Sequence, residues 1–295
     1  MGDPRLARHE ASGIVAATRR AFVAGALAAF AFRDGAVAAP LDKVKANGVL
    51  RVAVYRDFAP WSWRDGSTLT GIDVDLGREI AKRMGARAEV IDFIADESVD
   101  DDLRNMVWRG PLIGGQVADV MLHVPVDPRF AKENDRVAIG APYYREAFQM
   151  ACAPGTDCEV APPQFKGKKL AAELDSIPDI YLSGSFGGVL RGDVAHLLSG
   201  AAAIEHVADG KAEVVLATRA QVEHARKRLG DRLKVRRGPL PALPSPGWDV
   251  GVAVRDDSRD LGDAIDSLMT ELRRDGGLDA IFARYGVSPN APLAG

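Results

Sequence analysis

The 295-residue sequence contains few of the residues that bind metal ions or form disulfide frameworks. It holds two cysteines and five histidines, and no histidine pair has the HExxH spacing of a helical zinc site. We therefore expect no metal and no other cofactor. Aromatic residues make up only 6% of the chain, but hydrophobic residues make up 47%, which is enough for a large buried core.

The sequence also has no large excess of charge of one sign and no long apolar run. Basic side chains number 38 and acidic side chains 41, so net charge gives no reason to expect binding to nucleic acid or to anionic membranes. The longest apolar candidate, residues 21–32, is shorter than the roughly 18–20 residues of a membrane-spanning helix, and Arg33 and Asp34 end it. The composition predicts a soluble protein whose partners are proteins or small solutes.

The first 38 residues are interpreted as an export signal. Arg19 and Arg20, followed by Ala21-Phe22-Val23, resemble a twin-arginine motif, and Ala36-Val37-Ala38 offers the small residues that a signal peptidase accepts. This pattern favours a periplasmic protein. The alternative is an ordinary amphipathic helix that contains the two arginines.

Cys152 and Cys158 bound a turn-rich segment, residues 153–157. In an oxidising compartment, such a segment favours a short-loop disulfide between the two sulfurs. The alternative is a pair of reduced, buried thiols, while the spacing excludes a catalytic CxxC motif.

Strand-like and helix-like segments alternate in two successive stretches of the chain. In the first stretch, strands at 50–54, 88–93 and 118–123 alternate with helices at 73–84 and 101–108. In the second stretch, strands at 169–173, 194–198 and 212–217 alternate with helices from 177 and at 201–209 and 219–229. The alternation predicts an α/β fold with parallel-rich sheets covered by helices.

Two connections between these stretches are predicted to cross between domains. One runs through residues 147–163, and the other holds four prolines between 239 and 246 and leads to a strand at 248–254. The tail, with a helix from Ser258 and a last helix reaching Tyr285, is expected to close back on the first stretch. We predict lobe 1 at 47–146 and 249–295, and lobe 2 at 147–248.

Several segments, in their order, resemble the periplasmic solute-binding proteins of family 3, the amino-acid type. They are Leu50–Val54, Phe58–Trp63, Gly71–Leu76, Ala118–Val120, Ala141–Tyr144, Phe165–Lys168 and Gly210–Glu213. The resemblance covers about residues 50–287. It implies the type II periplasmic binding architecture, in which two Rossmann-like α/β lobes are joined by a two-strand hinge and close on a ligand.

The resemblance implies a protein that is not an enzyme. It would act as a monomer, capture a small polar or aromatic solute, and present it to an inner-membrane ABC permease. Two alternatives stay open because fold alone does not decide function. One is an accessory protein of a periplasmic PQQ-dependent quinoprotein alcohol dehydrogenase, as in the J-type subfamily. The other is a dehydratase on the same fold, with His123, Glu173 and Arg129 as acid, base and carboxylate anchor.

The resemblance also assigns candidate ligand residues, and each has a structural alternative. Phe58, Trp61 and Trp63 fall where the family has aromatic side chains, but at least one of these rings is expected in the core. Asp57 is either a ligand acceptor or a loop cap. Ser176 either helps to hold an anionic group at a helix start or is a plain N-cap.

Two departures from the family pattern weaken recognition of an amino acid. The family motif Thr-Pro-x-Arg is replaced by Asp127-Pro128-Arg129, so the arginine that clamps a carboxylate is displaced by one residue. Thr218 occupies the place of the acidic residue that receives the ammonium group. His123 puts an imidazole at the mouth of the expected cleft, where a ligand contact and a packed or solvent-facing ring are the two alternatives.

Overall fold

The computed structural model describes residues 41–111 and 113–293, so the predicted export signal lies outside the described residues. The strands are β1 (Val49–Tyr55), β2 (Trp63–Asp65), β3 (Thr68–Thr70), β4 (Arg87–Phe93), β5 (Val120–Pro125), β6 (Val137–Glu146), β7 (Phe148–Cys152), β8 (Leu170–Glu173), β9 (Val194–Leu197), β10 (Val214–Thr218), β11 (Lys234–Val235) and β12 (Trp248–Arg255). The α-helices are α1 (Leu41–Asn47), α2 (Ile72–Arg83), α3 (Val99–Leu103), α4 (Pro128–Glu133), α5 (Ile177–Gly184), α6 (Gly200–Ala208), α7 (Arg219–Leu229), α8 (Arg259–Arg274) and α9 (Gly277–Tyr285).

The first lobe is built on a five-stranded sheet in the order β4-β1-β5-β12-β6. β1 runs parallel to both β4 and β5, whereas β12 runs antiparallel to β5 and β6. Val52, Ala53 and Val54 of β1 are fully buried, as expected for a central strand covered on both faces. Helix α2 places Leu76 and Ile80 four residues apart on its buried face, so the helix covers the sheet along one apolar stripe.

The second lobe is built on a five-stranded sheet in the order β11-β7-β10-β8-β9. β8 is parallel to β9 and β10, and β7 is antiparallel to β10 and β11. One core cluster contains Val215 and Ala217 of β10, and another contains Val214 and Leu216 of the same strand. Alternate residues of β10 therefore pack on opposite faces of the sheet.

Two crossings join the sheets, and they touch each other. The first is Ala147, between β6 and β7, and the second is residues 236–247, between β11 and β12. The rings of Phe148 and Trp248 lie 5.3 Å apart at the two crossings. Gly247 has a φ of 114°, and a Cβ there would collide with the backbone oxygen of Glu146. Only glycine fits this close approach without a shift of the backbone.

The predicted alternation of strands and helices is confirmed, but several elements (β2, β3, β7, β11, α1 and α4) were not predicted, and three further features differ. The sheets are mixed rather than parallel-rich. Residues 104–108, predicted as part of a helix, form a π-helical turn after α3. The ten-residue strand β6 was not predicted, because Gly140 and Pro142 interrupt its apolar pattern. No helix within the described ranges is both long and apolar enough to cross a membrane.

Candidate ligand cleft

The carboxyl end of one parallel strand in each sheet, β5 in the first and β10 in the second, lies beside the crossings. In the first sheet, Val250 of β12 pairs with Pro125 at the end of β5, and Trp248 pairs with Glu146 at the end of β6. In the second sheet, Thr218 at the end of β10 pairs with Phe148. Loops that follow parallel strands form the usual ligand crevice of open α/β sheets. The strand ends of both lobes therefore define the candidate cleft.

The loop after β1 holds the three predicted aromatic residues, but they occupy different environments. Trp61 is fully buried in the first-lobe core, so the structure removes it from the candidate ligand contacts. Trp63 lies between the rings of His224 (5.4 Å) and Tyr285 (5.8 Å), where it packs within the protein. Phe58 is half-buried against the first-lobe core, and it follows the carboxyl end of β1, so it is the aromatic ring of this loop that we keep as a candidate ligand contact.

His123 is held inside the first lobe rather than presented to solvent. Its ring centre is 4.9 Å from that of Phe58 and 4.5 Å from that of Trp61, and its side chain is 7% exposed. Nδ1 of His123 lies 3.3 Å from Oδ2 of the fully buried Asp73. The buried ring of His123 thus packs against the ring of Phe58 and does not extend into the mouth of the cleft.

Tyr143 completes this buried polar cluster. Its hydroxyl donates to Oδ1 of Asp73 at 2.7 Å and accepts the backbone N–H of His123 at 3.1 Å. Burial and the neighbouring Asp73 carboxylate raise the pKa of Tyr143 well above its usual value, so it stays protonated as a donor. His123 has a φ of 64°, and the hydrogen bond from its own N–H to Tyr143 helps to fix this left-handed conformation.

The charged residues predicted near the cleft, Asp57, Asp127 and Arg129, have different surroundings. Asp57 is exposed after β1. Asp127 is the N-cap of α4, where Oδ1 accepts the backbone N–H groups of Arg129 (2.9 Å) and Phe130 (2.8 Å). The Arg129 side chain is 88% exposed and pairs with Glu133. The structure does not place Arg129 at the cleft as a carboxylate clamp, because its guanidinium points along α4 to solvent.

Ser176 is the N-cap of α5, as its structural alternative predicted. Its hydroxyl donates to the backbone oxygen of Glu173 at 2.5 Å and accepts the N–H of Asp179 at 3.3 Å. The carboxylate of Asp179 accepts the N–H of Asp175 at 3.2 Å and lies 2.8 Å from Nδ1 of His196. Pro178 has no N–H to offer. The Ser176 hydroxyl and the N–H of Asp179 at this helix start are thus bound to the protein itself.

Thr218 is the N-cap of α7, beside the first crossing. Its N–H donates to Oε1 of Gln221 at 3.3 Å. The neighbouring Glu146 is 1% exposed, and its Oε1 accepts the N–H groups of Ala147 (3.0 Å) and Ala220 (3.4 Å). Burial raises the pKa of Glu146 to about 7. A carboxyl group that titrates near neutral pH therefore lies where β6 passes into the second lobe.

Cys152 and Cys158 are joined by a disulfide, with their Cα atoms 5.8 Å apart. Cys152 ends β7, and both residues pack in the second-lobe core with Phe165 and Leu170. The pair lies at the far end of β7 from Phe148, where Nη1 of Arg236, at the start of the second crossing, donates to the backbone oxygen of Cys158 at 2.7 Å.

Sequence reasoning missed Asp73, Tyr143, Asp179 and Glu146 as members of the site. Asp73 carried a usable signal, because it is a charged residue on the apolar face of the first turn of α2. The other three gave no comparable signal, since their importance depends on contacts between distant segments.

Comparisons with known proteins agree with this architecture. Residues 50–105 match the bacterial extracellular solute-binding proteins, family 3. The L-cystine-binding protein TcyJ of Escherichia coli (strain K12) is 25% identical over 285 residues, which cover 95% of this chain and 96% of that protein. These matches confirm the predicted resemblance to the family 3 solute-binding proteins. They do not confirm the quinoprotein-associated subfamily, and they favour neither of the two alternative functions.

Solved structures show the same fold. The ancestral cationic amino acid solute-binding protein AncCDT-1 superposes with a TM-score of 0.66 at 18% identity, over 83% of this chain and 99% of that one. Holo ArgBP from T. maritima superposes with a TM-score of 0.55 at 23% identity, over 79% of this chain and 93% of that one. The predicted type II periplasmic binding architecture is confirmed.

Proposed function

We propose that this protein is a periplasmic solute-binding protein that holds a small molecule between its two lobes and delivers it to an inner-membrane ABC permease. The observation that carries the proposal is the position of the strand ends, because the parallel strands β5 of the first sheet and β10 of the second sheet end beside the same pair of crossings. The similarity to TcyJ, over nearly the whole of both chains, supports it.

In this proposal, the export signal is residues 1–38, lobe 1 is 47–146 with 249–295, and lobe 2 is 147–248. The protein works as a monomer and changes no covalent bond in its solute. The three residues of the dehydratase alternative have other partners, which supports this view. Arg129 pairs with Glu133, Glu173 accepts the N–H of Gly200, and His123 packs against Asp73.

Native mass spectrometry and thermal unfolding test the proposal together. The purified full chain is first analysed for a co-purified solute, then stripped by unfolding and dialysis, and then screened against amino acids, amines, sugars and small aromatics. A solute present at 100 times its dissociation constant adds about 2.7 kcal/mol to the free energy of unfolding. We expect one compound bound per chain. A chain that carries no solute and is stabilised by no compound contradicts the proposal.

A further inference from the structure

The second-lobe side of the candidate cleft has three helix starts, and a carboxyl group of the protein lies at each one. Glu173 accepts the N–H of Gly200 at α6, and Glu146 accepts the N–H of Ala220 at α7. Asp179, in the first turn of α5, accepts the N–H of Asp175 in the loop before that helix. Free N–H groups at a helix start commonly bind an anionic ligand. At α6 and α7, carboxyl groups of the protein itself accept such N–H groups.

The arginines near the first-lobe strand ends are also engaged. Arg56 and Arg64 both pair with Asp92, at 2.7 Å and 2.6 Å, and Arg64 is the main cause of the lowered pKa of that carboxyl group. Arg129 pairs with Glu133 on α4. A carboxylate would therefore have to displace an existing ion pair to bind any of these three arginines.

Large apolar side chains follow three of the parallel strands and are open to solvent. Ile94 follows β4 and is 69% exposed, Leu174 follows β8 and is 48% exposed, and Leu198 follows β9 and is 92% exposed. Phe58 stands after β1 at the same edge of the first sheet. Exposed aliphatic side chains at the ends of these strands offer apolar surface that a solute can bury.

We infer that the cleft takes an organic amine with an apolar body and no carboxylate group. This inference rests on the proposed function and names the class of its solute. The carboxylates of Asp179 and Glu173, at the starts of α5 and α6, repel a second carboxylate and favour a cation, and the face of Phe58 is a further site of attraction for an ammonium group. The exposed aliphatic side chains would cover the body of the amine.

Matched pairs of compounds test the inference, because an amino acid and its decarboxylated amine differ only in the carboxylate. Calorimetric titration would compare tryptamine with tryptophan, phenethylamine with phenylalanine, cystamine with cystine and agmatine with arginine. In at least one pair, we expect the amine to bind at least about tenfold more tightly than its amino acid. Equal or tighter binding of the amino acids, or binding of neither series, overturns the inference.

The failure of this inference can be distinguished from failure of the proposed function. Amino acids that bind better than amines, or a sugar found in the broader screen, would leave a solute-binding protein with a different solute. Only a chain that binds no solute in that screen contradicts both.

A charge variant strengthens the test. Asp179→Asn removes the negative charge at the start of α5 but keeps an oxygen acceptor for the N–H of Asp175. We expect the preference for the amine over the amino acid to fall about fivefold. Asp135→Asn is the matched control, since the Asp135 side chain is 89% exposed between α4 and β6, away from the strand ends that form the cleft. An unchanged preference in Asp179→Asn, or an equal fall in Asp135→Asn, speaks against the inference.

Discussion

Nδ1 of His224 lies 2.7 Å from the backbone oxygen of Tyr285. Because a carbonyl oxygen only accepts, Nδ1 carries the proton in this contact. His224 belongs to α7 of the second lobe, whereas Tyr285 ends α9 of the first lobe. The ring of Trp63 packs against both residues. This contact joins α7 of the second lobe to α9 of the first lobe.

Replacing this histidine is therefore expected to destabilise the whole protein. His224→Ala removes one hydrogen bond and one ring contact, and we expect the free energy of unfolding in urea to fall by about 1–2 kcal/mol. His206→Ala on α6 is the matched control, and we expect a change below about 0.5 kcal/mol there. Equal losses in the two variants would show that the contact between His224 and Tyr285 contributes nothing.

The two crossings are expected to tolerate no side chain at Gly247. Gly247→Ala adds a methyl group that collides with the backbone oxygen of Glu146. Gly210→Ala is the matched control, because Gly210 also has a positive φ, 72°, but a Cβ added to it would meet no atom within 4 Å. Urea unfolding should show a loss of about 1 kcal/mol for Gly210→Ala and at least about 2 kcal/mol more for Gly247→Ala. Similar losses would contradict the close approach.

Glu146 is expected to make stability depend on pH between about 4.5 and 7. Its pKa is about 7 in the folded protein and near 4.5 when it is unfolded, so the folded state binds more protons across this window. The contribution of Glu146 to the free energy of unfolding therefore falls by roughly 3 kcal/mol as the pH rises through this window. Glu146→Gln cannot titrate and should lose this component.

The measurement compares urea unfolding of the wild type and of Glu146→Gln at several pH values. The difference in the free energy of unfolding between the two proteins should favour the variant increasingly as pH rises from 4.5 to 7. Glu133→Gln is the control, since Glu133 is exposed on α4 and should give a difference that is nearly constant with pH. A constant difference for Glu146→Gln would mean that its carboxyl group titrates normally.

The sequence predicted the α/β fold and most strand and helix positions, because these depend on local periodicity. The bounds of α7, for example, agree with the prediction residue for residue. The site was harder to predict. The packing of His123 between Phe58 and Trp61 depends on three segments far apart in the chain, and no local pattern encodes that. A pairing such as Glu173 with Gly200 likewise depends on the register of β8 against β9.

Phe58 is expected to contribute more to solute binding than its neighbours in the first lobe. Phe58→Ala should weaken binding of the best solute from the screen by roughly 1–3 kcal/mol, because it removes an aromatic surface at the cleft edge. Phe130→Ala is the matched control, as Phe130 is also partly buried against the first-lobe core. We expect both variants to lose stability in urea, but only Phe58→Ala to lose affinity in calorimetric titration. If Phe58→Ala binds the solute as tightly as the wild type, Phe58 is a core residue and not a ligand contact.

The most direct test of the account is the distance between the two lobes with and without a solute. Spin labels at Lys82→Cys on α2 and Lys211→Cys before β10 report this distance by pulsed electron resonance, and both lysine side chains are mainly exposed, at 77% and 60%. The samples are the free chain and the chain with tryptamine, phenethylamine, cystamine or agmatine, and with the matching amino acids. We predict that at least one of the amines shortens the distance and narrows its distribution, as closure of the lobes on a solute requires. A distance that stays the same with all of these compounds, and with any solute that co-purifies with the chain, would contradict the claim that the lobes close on a small molecule.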